Sequence, residues 1–195
     1  LVVNDGSTDQ TAAMAQHAAN STPANASFEI LHHGINKGKG KAIQTALRHG
    51  FTKGFSHIIT LDGDGQHFPE DLPKMVEAIR DDRDAIWVGE RDLSNDNVQE
   101  SSRFGRAFSN FWLKVQTGVT LSDSQTGFRA YPTATALSLG TRAKAYDFEV
   151  EVLTLGARAG IPLKSMRIGV YYPPTAERVS HFDKLWDNIR ISWVN

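Results

Sequence analysis

The sequence predicts an α/β fold, a Rossmann-like, mostly parallel sheet with helices on both faces. Three observations lead there. Short apolar runs rich in β-branched residues, such as Ile58-Ile59-Thr60-Leu61, alternate along the chain with segments whose apolar residues recur at helical spacing. Polar, glycine-bearing turns and helix starts follow the runs, which is the punctuation of βα units. The length, 195 residues, suits one domain able to bury a real core, so 1–195 is read as a single domain.

In order, Leu1-Val2-Val3 ends a strand and Asn4-Asp5-Gly6 turns it. Ser7 with Gln10 three positions on reads as a capping box for a helix over 8–19. After a polar loop and a strand over 28–32, Gly34 to Lys41 leads into a helix with Ala42, Ile43, Ala46 and Leu47 inward and Gly50 as its stop. The apolar run at 58–61 reads as a buried strand and delivers Asp62-Gly63-Asp64-Gly65-Gln66-His67. Pro69 at a first helical position, with Glu70 and Asp71 in the first turn, opens a helix whose Leu72, Met75, Val76 and Ile79 face inward. A strand over 85–88 ends at Gly89-Glu90-Arg91-Asp92, and a polar loop covers 93–100. A long helix then places Phe104, Phe108, Phe111, Trp112 and Val115 on one face, with Arg103 and Arg106 near its start. A turn at 123–127, a strand at 128–131, a helical turn or two at 132–139, a helix at 148–159 and a strand at 163–172 follow; Met166, Ile168, Val170 and Tyr172 share a face of that strand. In the stretch 180–195, Phe182, Leu185, Trp186, Ile189 and Trp193 form a helical stripe flanked by Lys184 and Arg190. It suits either a membrane interface or packing on the core.

A net charge of −1 provides no global attraction to nucleic acid or anionic lipid. Without cysteine, disulfides and thiolate metal sites are excluded. No apolar run approaches the roughly 18 residues of a membrane span, and no signal peptide is visible. The chain starts inside a strand without methionine and ends inside a helical pattern, so it is read as a fragment truncated at both ends.

The chemistry concentrates where the central strand ends. Asp62 and Asp64 lie in the loop at the carboxyl end of a sheet strand, where open α/β sheets bind ligands. Two close carboxylates repel, and a hard divalent cation, Mg²⁺ or Mn²⁺, relieves them while bridging to substrate phosphates. Gly63 and Gly65 permit the bend, Gln66 offers a neutral oxygen and His67 a nitrogen. Asp5-Gly6-Ser7 ahead of a helix is either a nucleotide cradle or an ordinary βα turn. Lys37, Lys39 and Lys41 oppose the dipole of the helix they precede, which suits nearby phosphates or acidic groups, or else plain exposure. The spacing is not that of a P-loop.

Four segments, VVNDGSTDQT, NKGKGKAIQTAL, IITLDGDGQHFPEDLPKMVEAI and DSQTGFRAY, resemble in this order the family 2 glycosyltransferases of the GT-A fold. Within that family the fit looks nearest to the dolichyl- or polyprenyl-phosphate sugar transferases, and it covers nearly the whole chain. The resemblance implies inverting transfer from a GDP- or UDP-sugar to a polyprenyl phosphate, in the cytoplasm at a membrane face, with peripheral membrane contact and no nucleic acid partner. Asp5 would contact the base, with Gly6, Ser7, Lys37, Gly38, Asp62 and Gly63 completing the donor site. Asp62 and Asp64 would hold Mn²⁺ or Mg²⁺ against the diphosphate, with Gln66 completing the coordination. Asp64 is thereby one candidate catalytic residue; Asp123 is the other, as general base for a hydroxyl acceptor or else as a turn cap. Arg91, Arg103 and Arg106 would close on an acceptor phosphate, or else Arg103 or Arg106 pairs with the acidic loop at Asp92, Asp96 and Glu100.

Two departures from the family stand out. Its opening strand and Pro-x-Tyr-Asn-Glu stretch are missing upstream of VVNDGS, which would leave an open slot in mid-sheet. The Ser-Arg-Arg of the lipid-phosphate subgroup reads here Ser102-Arg103-Phe104-Gly105-Arg106. Four other readings remain at this level: a hydroxyl-acceptor transferase, a nucleotidyltransferase, a non-catalytic nucleotide-sugar binding module and a purely structural domain.

Overall fold

The alternation of elements survives in three dimensions with one strand reversed. The computed structural model describes residues 1–92 and 100–171, the side chains of 100–104 excepted. The elements are β1 (Val2–Asp5), α1 (Thr11–Asn20), β2 (Ile30–His33), α2 (Lys39–Thr52), β3 (His57–Thr60), a 3₁₀ turn (Pro69–Asp71), α3 (Leu72–Asp81), β4 (Ile86–Arg91), α4 (Glu100–Thr117), β5 (Arg129–Pro132), α5 (Thr133–Ser138), α6 (Asp147–Arg158) and β6 (Leu163–Ile168). β1 and β2 pair in parallel as one sheet, and a second sheet has the order β3-β5-β4-β6. β4 and β6 are parallel, whereas β5 runs antiparallel to both of its neighbours. No ladder among the described residues joins β1 to β3; α2 packs against both strands.

Strand alternation builds two cores. Ile86 and Val88 of β4 face a cluster with Ile43 and Leu47 of α2, Leu113 of α4, Tyr131, and Phe148, Val152 and Leu153 of α6. Trp87 points the other way, into a cluster with Met75 of α3, Phe128, Ala130 and Ile168. Helices therefore cover both faces of the four-stranded sheet.

Several local expectations are corrected. The capping box does not form: α1 starts at Thr11, and the turn is held by Asn4 Oδ1 accepting from the Ser7 N–H (3.0 Å) and Asp9 Oδ1 from the Thr11 N–H (2.9 Å). Such local bonds offer the backbone an alternative to an earlier helix start. Gly50 does not stop α2, which runs to Thr52. Its missing side chain makes room for Ile58 instead, since a Cβ there would lie 2.9 Å from Ile58 Cγ2. Val76 is exposed, and only Met75 of α3 is fully buried. β6 ends at Ile168, beyond which Val170 makes an isolated bridge with His67. Tyr172, the loop at 93–99 and the aromatic stripe at 180–195 lie outside the described residues.

In α4 the shared aromatic face is not the buried one. Phe108, Phe111 and Val115 point to solvent, and the helix buries Ser109 and Leu113. The reason is polar. Asn110 donates to the Ser122 carbonyl (2.8 Å) and accepts from the Ser124 N–H (2.9 Å), while the Ser109 and Ser124 hydroxyls meet at 2.9 Å. The turn before β5 needs these partners for its buried groups, and satisfying them turns the aromatic face outward. Leu113→Ala should therefore destabilise the protein by about 2–5 kcal/mol, and Phe111→Ala by less than about 0.5 kcal/mol. Urea unfolding curves check this; the opposite ranking would return the aromatic face to the core.

Candidate active site

The carboxyl ends of β1, β3 and β4 form one rim, and the reversed β5 enters from that rim. Asp62 follows β3 by two residues and lies against Gly127, two residues before β5. A Cβ at Gly127 would sit 2.2–2.4 Å from the Asp62 carboxylate, so only glycine allows this approach. Thr60 Oγ1 donates to the Gly127 carbonyl at 2.8 Å and fixes that contact. Asp62 Oδ1 is 2.6 Å from Lys39 Nζ, which also lies 2.7 Å from Glu149 Oε1. Lys39 is the first residue of α2 and Glu149 lies in the first turn of α6, so two helix N-termini converge on the D-x-D loop.

Electrostatics keeps these groups charged. Burial pushes the Asp62 carboxyl up, but Lys39, then His67 and Arg129, hold it below its ordinary value. Burial likewise pulls Lys39 down, and the carboxylates of Glu149 and Asp62 outweigh it, raising Lys39 above the ordinary lysine range. His67 is pulled below its usual value by burial, against the pull of Asp62 and Asp64, and is neutral at pH 7. It does not turn toward a metal position: its Nδ1 lies 3.4 Å from the Asp62 N–H and its Nε2 3.4 Å from Thr126 Oγ1. Asp64 is exposed and accepts the Gln66 N–H at 3.0 Å. Among the described residues no group of three or more His, Asp or Glu side chains could hold a metal. Asp62 and Asp64 offer this loop two carboxylates, a donor set compatible in kind with a hard divalent ion held mainly by substrate oxygens.

A second half-site is tied to the first through consecutive residues. Asp5 accepts from the Lys37 N–H (2.9 Å) and the Gly38 N–H (2.7 Å), and pairs with His33 at 2.5 Å. Gly38 has φ +95° and lies so close to the Lys144 carbonyl that a Cβ would come within 2.4 Å of it. The candidates Asp5, Gly6, Lys37 and Gly38 are therefore brought together, with Asp5 anchoring the loop, while Ser7 bonds to Asn4 in its own turn. Lys37, Arg142 and Lys144 border a cleft of about 510 Å³ beside it.

The acceptor candidates are arranged differently from expectation. Arg91 spends its guanidinium on Asp123 in a two-pronged pair, Nε to Oδ2 at 2.6 Å and Nη2 to Oδ1 at 3.0 Å. The Asp123 side chain is 0% exposed, and Oδ1 also accepts from the Gln125 N–H at 3.2 Å. Asp123 is thus Arg91's counter-ion and a turn cap. Arg106 donates to the Arg91 carbonyl at 3.3 Å; the Arg103 side chain and most of the acidic loop lie outside the described residues. Sequence reasoning missed Arg129, Glu149, Gly127 and the special position of Lys39. The one available signal was a charge inside an apolar strand run, Phe128-Arg129-Ala130-Tyr131.

Comparison with known proteins fits this arrangement. The sequence profile described as glycosyl transferase family 2 matches residues 1–137. The chain belongs to glycosyl transferase family 2. It is 31% identical over 166 residues to an undecaprenyl-phosphate mannosyltransferase of Micrococcus luteus, covering 82% of this chain and 66% of that protein. It is 30% identical over 148 residues to a UDP-N-acetylglucosamine–dolichyl-phosphate N-acetylglucosaminyltransferase of Methanococcus voltae, covering 73% of this chain and 59% of that one. The chain thus spans about two thirds or less of these relatives. Its fold matches the crystal structure of glucosyl-3-phosphoglycerate synthase from Mycobacterium tuberculosis in complex with phosphoglyceric acid at TM-score 0.65 and 18% identity, over 100% of this chain and 65% of that one. A structure of the same enzyme with Mn²⁺ and UDP-glucose matches at TM-score 0.59 and 16% identity, over 91% and 61%.

Two measurements check this geometry. Gly127→Ala should displace the Asp62 carboxylate and weaken Mn²⁺-dependent UDP or GDP binding by at least tenfold in calorimetric titration, with the far-UV circular dichroism unchanged. For Asp5, burial raises the carboxyl, but His33 and the Lys37 and Gly38 N–H groups outweigh it and lower the pKa. Its contribution to stability is present above the ordinary carboxylate range and is lost as pH falls through the lower folded value. Asp5→Asn should be less stable than the parent at pH 7, and the gap should close on acidification below about pH 4; a gap independent of pH would assign the loss to packing.

Proposed function

We propose that this chain transfers a sugar from a nucleotide-sugar donor to a polyprenyl phosphate, with inversion at the anomeric carbon. The observation that carries the choice of acceptor is Asp123. A hydroxyl acceptor needs a general base at the reaction centre, and the carboxylate suited to that task is buried and held by both prongs of Arg91. A phosphate acceptor is already ionised near neutral pH and needs cations rather than a base. The names of the two lipid-phosphate relatives support the same class.

In this reading the donor nucleotide, a UDP- or GDP-sugar, spans Asp5-Gly6-Ser7, Lys37-Gly38 and Asp62-Gly63. Asp62, Asp64 and Gln66 would hold Mn²⁺ or Mg²⁺, which when bound neutralises charge on the departing nucleoside diphosphate. The metal found with UDP-glucose in the mycobacterial synthase supports that choice. Lys39 keeps Asp62 ionised and aimed before any ligand arrives, and neutral His67 closes the floor beneath it. Arg106 and Arg103, at the start of α4, would meet an acceptor phosphate, while Arg91 acts by binding Asp123. No helix among the described residues is long and apolar enough to cross a membrane; the lipid acceptor implies peripheral contact at the cytoplasmic face.

The test incubates the chain with labelled UDP- and GDP-sugars, Mn²⁺ and undecaprenyl phosphate. A sugar-phosphate lipid should form, and Asp64→Ala should reduce its formation by about a hundredfold or more. Transfer to soluble sugar hydroxyls with undecaprenyl phosphate ignored would overturn the acceptor; nucleotide-sugar binding without turnover would reduce the chain to a binding module.

A further inference from the structure

Lys39 is placed where a lysine is electrostatically disfavoured unless something holds it. It begins α2, at the positive end of the helix dipole, and it is largely buried. What holds it is a pair of carboxylates from separate segments: Asp62 at 2.6 Å and Glu149 at 2.7 Å, the latter only 7% exposed. The Tyr146 ring lies beneath the ammonium at 5.4 Å and completes the enclosure. The backbone ahead of Lys39 is fixed as well, since the Gly38 N–H is bound to Asp5 and Gly38 is pressed against Lys144. Lys39 therefore has little freedom to leave, and its charge is divided between two acceptors.

We propose that Lys39 is an internal cation of the D-x-D loop. It occupies Asp62 ahead of any divalent ion, and Glu149 sets how firmly it does so by competing for the same ammonium. Lys39 is thus a positioning residue whose charge opposes an incoming cation, and Glu149 regulates that opposition. The inference rests on the metal reading given under Proposed function.

Coulomb's law gives opposite signs for two substitutions, which a merely structural role would not. Lys39→Met removes a positive charge beside Asp62 and leaves Asp62 and Glu149 without the ammonium they share. Glu149→Gln leaves the ammonium to Asp62 alone and removes a negative charge from the loop's surroundings. Mn²⁺ binding without nucleotide, measured by electron paramagnetic resonance of free and bound ion, is the readout. Lys39→Met should bind Mn²⁺ about tenfold more tightly than the parent, and Glu149→Gln several-fold more weakly. Lys39→Arg, which keeps the charge, should stay close to the parent. Lys39→Gln serves as a second neutral variant should Lys39→Met fail to give a cooperative thermal transition. Shifts in the same direction for Lys39→Met and Glu149→Gln, or none, in a protein that still binds Mn²⁺ with UDP or GDP would overturn this proposal alone. Failure of parent and Lys39→Met alike to bind Mn²⁺, with or without nucleotide, would overturn the metal reading and this inference with it.

Discussion

Arg129 has no solvent exposure, and its guanidinium is spent on three carbonyl oxygens, those of Thr126, Glu149 and Ser124, each at 2.7 Å. Removing a buried charge's partners is costly, so the three carbonyls and the arginine hold each other in place. Two of the carbonyls belong to the turn entering β5, which contains Gly127 and therefore sets the wall against which Asp62 lies. The third belongs to Glu149, whose carboxylate receives Lys39. A single side chain thus fixes both sides of the Lys39 bridge without reaching the rim itself. Burial would pull the Arg129 guanidinium down, and Tyr131, Glu149 and Asp123 around it keep it charged.

A second constraint runs along the backbone of α2. Gly38 is bound through its N–H to Asp5 of β1, and the next residue, Lys39, reaches Asp62 beyond β3. β1 and β3 share no ladder among the described residues, so this dipeptide, together with the packing of α2 under both strands, relates the two half-sites. That explains two features of the turn. Gly38 must take a positive φ to face Asp5 while passing Lys144, and Lys39 must be long enough to span from the helix start to the carboxylate.

The strands, the helices and the position of Asp62 and Asp64 in a loop just after β3 were legible because they depend on local pattern: β-branched runs, apolar residues at helical spacing, and glycine between polar turn residues. What was not legible depends on pairing across long sequence separations. The aromatic stripe of α4 has a core-like period, yet the turn at 122–124 claims Ser109 and Asn110, and a polar requirement decides which face is buried. Asp123 stayed open between base and turn cap because its partner, Arg91, lies far away in sequence and was itself read as a phosphate ligand. The three lysines looked equivalent on paper. Lys37 contributes its backbone to Asp5, Lys41 reaches Gln44 and Lys39 alone enters the buried carboxylate pair. Local sequence carries no record of that choice, since it is made by where α6 starts.

The charge distribution also bears on how a polyanionic donor could be met by a chain of net charge −1. A field from the whole molecule is not available to steer it. Attraction must come from local groups, and those beside the rim are the N-termini of α2 and α6, Lys39, and the exposed Lys37, Arg142 and Lys144 around the adjoining cleft. Helix dipoles and buried ammonium groups differ from exposed lysines in one respect: they are fixed before the ligand arrives and are poorly screened by salt. Asp62 stays ionised inside this environment because its neighbours are already oriented, and preorganised charge of this kind does not have to rearrange when an anion is met. The site is therefore balanced rather than strongly positive. The cation supplied within the fold keeps the carboxylates of Asp62 and Glu149 paired.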